Sequence, residues 1–436
     1  MKENKERKAA TYIFHYYHNR LWQYRINTAV TGLIMTTNTL KLYDEDSYLS
    51  DFSATVISCV EKPNSNQEIV YEVILSATAF FPEGGGQASD TGTINDIPVI
   101  DVQEKDEIIY HILTSPLAEG EVIKGTINRT RRFDFMQQHT GEHILSGLVY
   151  KYFNYDNVGF HLGADTVTVD FSGTFTEEDI RRIEELANEA VFQNISVVAV
   201  YPEKEALNSM SYRSKKELSG AVRIVTINGV DTCACCAPHV KSTGEVGLIK
   251  ITTYQNYKGG TRLEIQCGKR ALTDYNKKEK NIQNISVTLS AKIYETDEAV
   301  KRLKEEKLSL EAKFTALSAK LLSYKVVSIP SGDEPYALFD FETQDNQLRN
   351  YANLVKERRN GIVGIFIPSA KDSSISETDE AIEYRYVLCA KEIDVRQIGA
   401  ELNKAFQGRG GGSKEMVQGS IKGGRKDIEN FLKNYA

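Results

Sequence analysis

No apolar stretch in this 436-residue sequence approaches the roughly 20 residues of a membrane span. The N-terminus also lacks the continuous apolar core of a signal peptide, because charged MKENKERK runs into the aromatic, polar YIFHYYHNRLWQYR. Cysteine is sparse, at six residues. Three lie within 233–236, while Cys59, Cys267 and Cys389 stand alone; this is no disulfide framework and fits a reducing cytoplasm. Cations are outnumbered, and a net charge of −7 argues against a surface coated for nucleic acid. The deficit is uneven. Between Arg396 and Lys426 seven cations face only Glu401 and Glu415, a net +5 that leaves −12 for the rest. That asymmetry suits one polyanion-binding face or chance clustering on a solvated surface. With 41% hydrophobic and 26% charged residues the chain reads as globular, and it is too long for one core, so several domains are expected.

Histidine is also scarce, and its placement is uneven. Of seven, His139, His143 and His239 fall in two short windows, Gln138-His139-Thr140-Gly141-Glu142-His143 and Cys233-Ala234-Cys235-Cys236-Ala237-Pro238-His239. His139 and His143 are four apart, so on a helix both imidazoles leave one face; Cys235 and His239 repeat the spacing with a thiolate and a third imidazole. A lone HxxxH more often flanks a core. Two such pairs of nitrogen and sulfur donors suit tetrahedral zinc, structural or catalytic.

Residues 1–34 carry the only tryptophan, Trp22, and read as an extension without an assigned role, since Met35-Thr36-Thr37 makes a natural beginning. Over 35–130, short Val-, Ile-, Thr- and Tyr-rich runs at 52–60, 68–76, 92–97, 108–113 and 122–127 predict a small β-barrel. Within it, Gly84-Gly85-Gly86 is a turn or a place where a ligand approaches backbone. From 131 to 272 an α+β domain is expected, with a helix over 129–151, strands at 166–171, 197–201, 222–227, 247–254 and 261–266, and a helix at 176–192 capped by Thr176. Residues 273–326 show three-and-four apolar steps from Ile282 to Leu321, an amphipathic helical arm that is a spacer or a dimer surface, with the C-terminal domain as the alternative surface for a homodimer. Residues 327–436 form a second α/β domain, ending in Gly408-Arg409-Gly410-Gly411-Gly412-Ser413-Lys414 and a final helix. That glycine loop can be read as a phosphate cradle, although Ser413 precedes Lys414 and it is no P-loop.

Four motifs in one order, FFPEGGGQASDTG, RTRRFDFMQQHTGEHILSGL, DTCACCAPHVKSTGEVGLIKI and GRGGGSKEMVQG, resemble the freestanding alanyl-tRNA editing proteins of the long AlaX type. These are relatives of the editing and C-terminal parts of alanyl-tRNA synthetase. The resemblance covers about Met35 to the end. It implies a cytoplasmic deacylase acting on tRNA(Ala) mischarged with serine or glycine, with one zinc held by His139, His143, Cys235 and His239. It also implies a C-terminal domain of the DHHA1 type that helps bind tRNA, with Arg409, Gly411 and Lys414 as contacts. No aminoacylation is expected, because nothing before residue 35 is long enough for that domain.

The sequence departs from the synthetase pattern. HTATH becomes His139-Thr140-Gly141-Glu142-His143, and CGGTH becomes Cys235-Cys236-Ala237-Pro238-His239 with further thiols at Cys236 and Cys233. Cys235 has the matching spacing to His239. Glu142, beside the metal-facing stripe, is the candidate general base or amine-gripping group; Thr140 and His161 are weaker catalytic candidates. Gly85, Gly86 and Gln87 are expected to contact the aminoacyl end, and Arg131 and Arg132 the tRNA. Two other classes stay open: a zinc peptidase, since His139 to His143 is also HxxEH, and a non-catalytic RNA-binding protein with structural zinc.

Overall fold

The computed structural model describes residues 39–64, 66–214, 221–369 and 381–435, so the extension at 1–34 lies outside the described residues. The chain is α+β and divides into two compact units, Met1–Gln283 and Asn284–Ala436.

In the first unit, alternating burial along β1 (Asp51–Pro63), β2 (Ile69–Leu75), β3 (Gly92–Ile94), β4 (Ile97–Lys105), β5 (Ile108–Leu113) and β6 (Val122–Ile127) turns one face of each strand inward. The six close into a barrel in the order β1-β2-β5-β4-β3-β6, around Val73, Leu75, Val102, Ile109, Leu113 and Ile123. The run at 92–97 is not one strand. Asn95 and Asp96 both take positive φ, 49° and 65°, and fold it into the tight β3–β4 hairpin.

Helix α1 (Arg129–Phe153) follows, then β7 (Asn157–Leu162), β8 (Val167–Phe171), α2 (Glu177–Phe192), β9 (Val197–Val200), β10 (Ile224–Ile227), β11 (Asp231–Ala234), β12 (Ile249–Tyr257), β13 (Gly260–Cys267) and α3 (Gly268–Leu289). Two sheets form, β12-β13-β8-β7 and β9-β10-β11. The Asn128 side chain accepts the Arg131 N–H at the start of α1, and Asn154, left-handed at φ 55°, ends it. Every residue of α1 from Phe135 to Val149 is buried, so this helix is enclosed on all sides. Ile144, Leu145, Leu148 and Val149 pack with Val167, Val169, Ile183 and Ile265, each such side chain contributing roughly 1.5–3 kcal/mol by burial. Close passage explains Gly141: a Cβ there would lie 2.3 Å from the Cys267 sulfur. Thr176 caps α2 in a reciprocal pair with Asp179.

The second unit contains α4 (Thr296–Val327), β14 (Tyr336–Phe339), α5 (Asp345–Arg358), β15 (Val363–Pro368), β16 (Ile382–Cys389), α6 (Val395–Ala405), β17 (Arg409–Gly412), β18 (Met416–Gly423) and α7 (Arg425–Lys433). Its sheet runs β14-β15-β16-β18-β17, with β14 and β15 parallel and the other pairs antiparallel. The glycine run is therefore not a loop cradle but the edge strand β17, laddered to β18 from Arg409↔Ser420 to Gly412↔Val417. Without side chains beyond Arg409, it gives no period-2 pattern to read. Among the described residues no helix is long and apolar enough to cross a membrane.

Candidate metal centre

Helix α1 delivers His139 and His143, and the loop after β11 delivers Cys235 and His239. One ligand atom from each lies within 4.8 Å of the others. The orientation of all three imidazoles is set from outside the cluster. His139 Nδ1 lies 2.9 Å from Gln87 Oε1, His143 Nδ1 lies 2.9 Å from Asp231 Oδ2, and His239 Nδ1 lies 2.9 Å from Thr140 Oγ1. An amide oxygen and a carboxylate can only accept, so His139 and His143 each carry a proton on Nδ1 and turn Nε2 inward. Asp231 is itself clamped by Arg213, Nε at 2.8 Å and Nη2 at 2.9 Å. The inner atoms meet at Cys235: its Sγ is 3.5 Å from His139 Nε2 and 3.4 Å from His239 Nε2.

Protonation follows the same geometry. Burial works to raise the Cys235 thiol, but the facing His139 and His239 bring it well below its ordinary range, toward thiolate. Burial pushes His239 down to about 3, leaving a neutral imidazole. For His143, burial opposes the charge, yet the Asp231 and Cys235 contacts raise it well above its usual value. The cluster thus attracts one positive charge, be it a proton or a metal ion. The other two thiols behave differently. Burial raises Cys233, while desolvation of the thiol on an otherwise exposed residue, with the Cys235 charge, pushes Cys236 up to about 11.

The glycine stretch supplies one of the outer partners. Gly84 and Gln87 exchange both main-chain hydrogen bonds at 3.0 Å, and between them Gly85 and Gly86 have φ of 60° and 84°, a tight turn open only to glycine-like conformations. A Cβ on Gly86 would lie 2.5 Å from the Phe160 carbonyl oxygen. The turn fixes Gln87 against His139 and leaves Gly85 and Gly86 exposed.

Glu142 is buried, with Oε1 accepting from Ser146 Oγ at 2.6 Å and from Asn157 Nδ2; its Oε2 lies 3.9 Å from His143 Nε2. Thr140 also accepts the Val240 N–H at 3.3 Å, so its hydroxyl supports His239. His161 is exposed on β7, next to Leu162, whose N–H donates to Gly86 O at 2.7 Å. Arg131 donates to Ser89 O and covers the Phe135 ring. Arg132 is buried: it donates to both Asp90 oxygens, to Ser47 O at 2.9 Å and to Ala79 O at 2.6 Å. Arg409, Gly411 and Lys414 are exposed in the second unit. A cleft of about 1320 Å³ at the N-terminal end of α1 is lined by Arg129, Arg131, Lys269 and Lys277 among others; none of the four donors lines it.

Sequence reasoning missed Asp231, Arg213, Ser146 and Asn157. Asp231 opens the DTCACC string, and a carboxylate just before a thiol cluster is the one signal that could have pointed to it.

Comparison with known proteins places these residues in context. Residues 222–264 match the model for the threonyl and alanyl tRNA synthetase second additional domain, and residues 16–131 match class II (A) tRNA synthetases. The chain is 27% identical to the alanyl-tRNA editing protein Aarsd1 of Danio rerio over 89% of its own length and 96% of that protein. It is 28% identical to the alanyl-tRNA editing protein AlaX-L of Pyrococcus horikoshii, over 89% of this chain and 96% of that one. An alanine–tRNA ligase of Ignicoccus hospitalis is 35% identical over 58% of this chain, which spans only 28% of that ligase.

Proposed function

Because this chain belongs to the family of the alanyl-tRNA editing proteins, we propose that it is a trans-editing hydrolase. It removes serine or glycine from mischarged tRNA(Ala) in the cytoplasm, at a single zinc held by His139, His143, Cys235 and His239. The observation that carries this reading is the spacing of the inner atoms. The nitrogen–sulfur edge of a tetrahedral zinc site with ordinary bond lengths is about 3.6 Å, and Cys235 Sγ lies 3.4 and 3.5 Å from two of the imidazole nitrogens. A depressed thiol, a neutral imidazole and three outward-anchored rings complete a donor set suited to zinc.

When bound, the ion supplies positive charge that orients the aminoacyl group and polarises its ester carbonyl. The chain's own groups do the remainder. Glu142, its Oε1 held by Ser146 and Asn157, takes a proton from water as the water oxygen adds to the ester carbon, and returns it to the departing 3′-oxygen as the carbon–oxygen bond breaks. Thr140 acts through His239. The exposed Gly85–Gly86 turn, with Gln87 behind it and His161 at its flank, receives the aminoacyl end. Arg131 faces the tRNA from the cleft at the start of α1, and Arg132 holds that turn of helix in place. Arg409, Gly411 and Lys414, in the segment with net +5, contact the phosphate backbone.

The test is hydrolysis of seryl- and glycyl-tRNA(Ala), with alanyl-tRNA(Ala) and seryl-tRNA(Ser) as controls. Loss of the mismatched esters alone is expected, abolished together with metal content in Cys235→Ala. Glu142→Gln should keep the metal while losing roughly 100-fold or more in rate. A metal-loaded protein that leaves these esters intact would overturn the reading, and cleavage of peptides instead would favour the HxxEH peptidase.

A further inference from the structure

Behind the four donors lies a second cluster, joined to the first through His143. One ligand atom each from His143, Asp231 and Cys233 lies within 4.8 Å of the other two. Asp231 and Cys233 are two apart on β11, so strand alternation sends both to the same buried face, and β11 packs on α1. At 3%, 6% and 4% exposure the three are too deep for a solvated patch, where carboxylates gather by chance. Imidazole nitrogen, carboxylate oxygen and thiolate sulfur are donors that zinc and cadmium accept together. His143 turns Nε2 to the first cluster and Nδ1 to Asp231 Oδ2 at 2.9 Å, and a ring with two nitrogens can serve an ion at each. The approach is separate as well. A cavity of about 550 Å³ is lined by Asp231, Cys233, Arg213 and Lys151 among others, and by none of the four donors of the first centre. Asp231 already holds one cation at its edge: Arg213 grips it through Nε and Nη2 and keeps 14% exposure.

We propose that His143, Asp231 and Cys233 form a second, weaker site for a thiophilic divalent ion, filled when such an ion is in excess. The ion replaces the Cys233 thiol proton and the His143 Nδ1 proton, so two positive charges arrive as two leave to water. Three protein donors leave a fourth position for water. Arg213 is the competitor, because the ion must take Asp231 from its guanidinium, and that contest sets the concentration at which the site fills. Purified without added ion, the chain carries the first ion alone. The inference is independent of the ester that the chain cleaves.

Cadmium is the probe, since each thiolate it binds adds a charge-transfer band in the ultraviolet. Equilibrium dialysis of the full chain against rising cadmium should give two equivalents, the tighter lost in Cys235→Ala and the weaker in Cys233→Ser, each with one thiolate band. Arg213→Met should bind the weaker ion about tenfold more tightly, because the competing cation is gone. That variant leaves Asp231 unpaired, so its melting temperature should fall without cadmium and recover with it. This gain keeps the test open should Cys233→Ser fail to fold. Saturation at one equivalent in both the parent and Arg213→Met would overturn the site. So would a second equivalent that survives Cys233→Ser, or one that disappears with Cys236→Ala, which marks an ion on the exposed thiol. An equivalent tied to Cys233 with none tied to Cys235 would uphold this site and count against the first centre.

Discussion

Asp231→Asn separates the outer support of the proposed metal centre from its four candidate donors. The substitution keeps the shape of the side chain and an oxygen for His143 Nδ1, now 2.9 Å from Asp231 Oδ2, but removes the charge that holds both His143 and Arg213. Two effects follow. Loss of a carboxylate behind a metal-binding histidine weakens affinity roughly 10- to 100-fold, about 1.4–2.7 kcal/mol. Breaking a buried ion pair by removing one partner costs about 3–5 kcal/mol. The lower end applies, because Arg213 retains 14% exposure and can reach water. Competition with a chromophoric chelator gives the first quantity. Thermal unfolding of the metal-free protein gives the second, as a fall on the order of 6–12 °C. An affinity within twofold of the wild type, with an unchanged melting temperature, would refute the Arg213–Asp231–His143 relay.

Among the clustered thiols only Cys235 should matter to the metal: Cys233→Ala and Cys236→Ala should retain one equivalent, and Cys235→Ala should lose it, by elemental analysis of each purified variant. The barrel should be acid-sensitive through His111. Burial holds its folded-state value down to about 4, with Thr78 and Val73 as partners. A depressed group contributes stability that is present above the unfolded value near 6.5 and is lost as pH falls toward 4. About 3 kcal/mol is at stake, and His111→Gln should flatten the stability–pH curve across that window.

Much of this architecture was legible because its signals are local. The three-and-four spacing of α1, the Thr176 cap of α2 and the alternation of β1, β2, β5 and β6 lie within single short windows. The donor pairs were legible for the same reason, since each occupies one helical turn or one short loop. What escaped depends on distant chain. β11 is too polar and short to show a period, and its identity comes from pairing with β10; β7, by contrast, alternates Val158, Phe160 and Leu162 with polar residues and carries a period of two. Asp231 and Asn157 gain their roles only when α1 brings His143 and Glu142 against them. Arg132 resembles an RNA contact in sequence, yet its partners Asp90, Ala79 and Ser47 lie 42, 53 and 85 residues away.

That arginine makes α1 a lever with a fixed fulcrum. Its guanidinium ties the first turn of the helix to three separate segments at the barrel. His139 lies seven residues further along, an arm of about 10 Å. On such an arm a tilt of only about 5° moves the imidazole by roughly 1 Å, a displacement that can cost about 100-fold in rate. The barrel therefore governs the alignment of a centre to which it contributes no ligand.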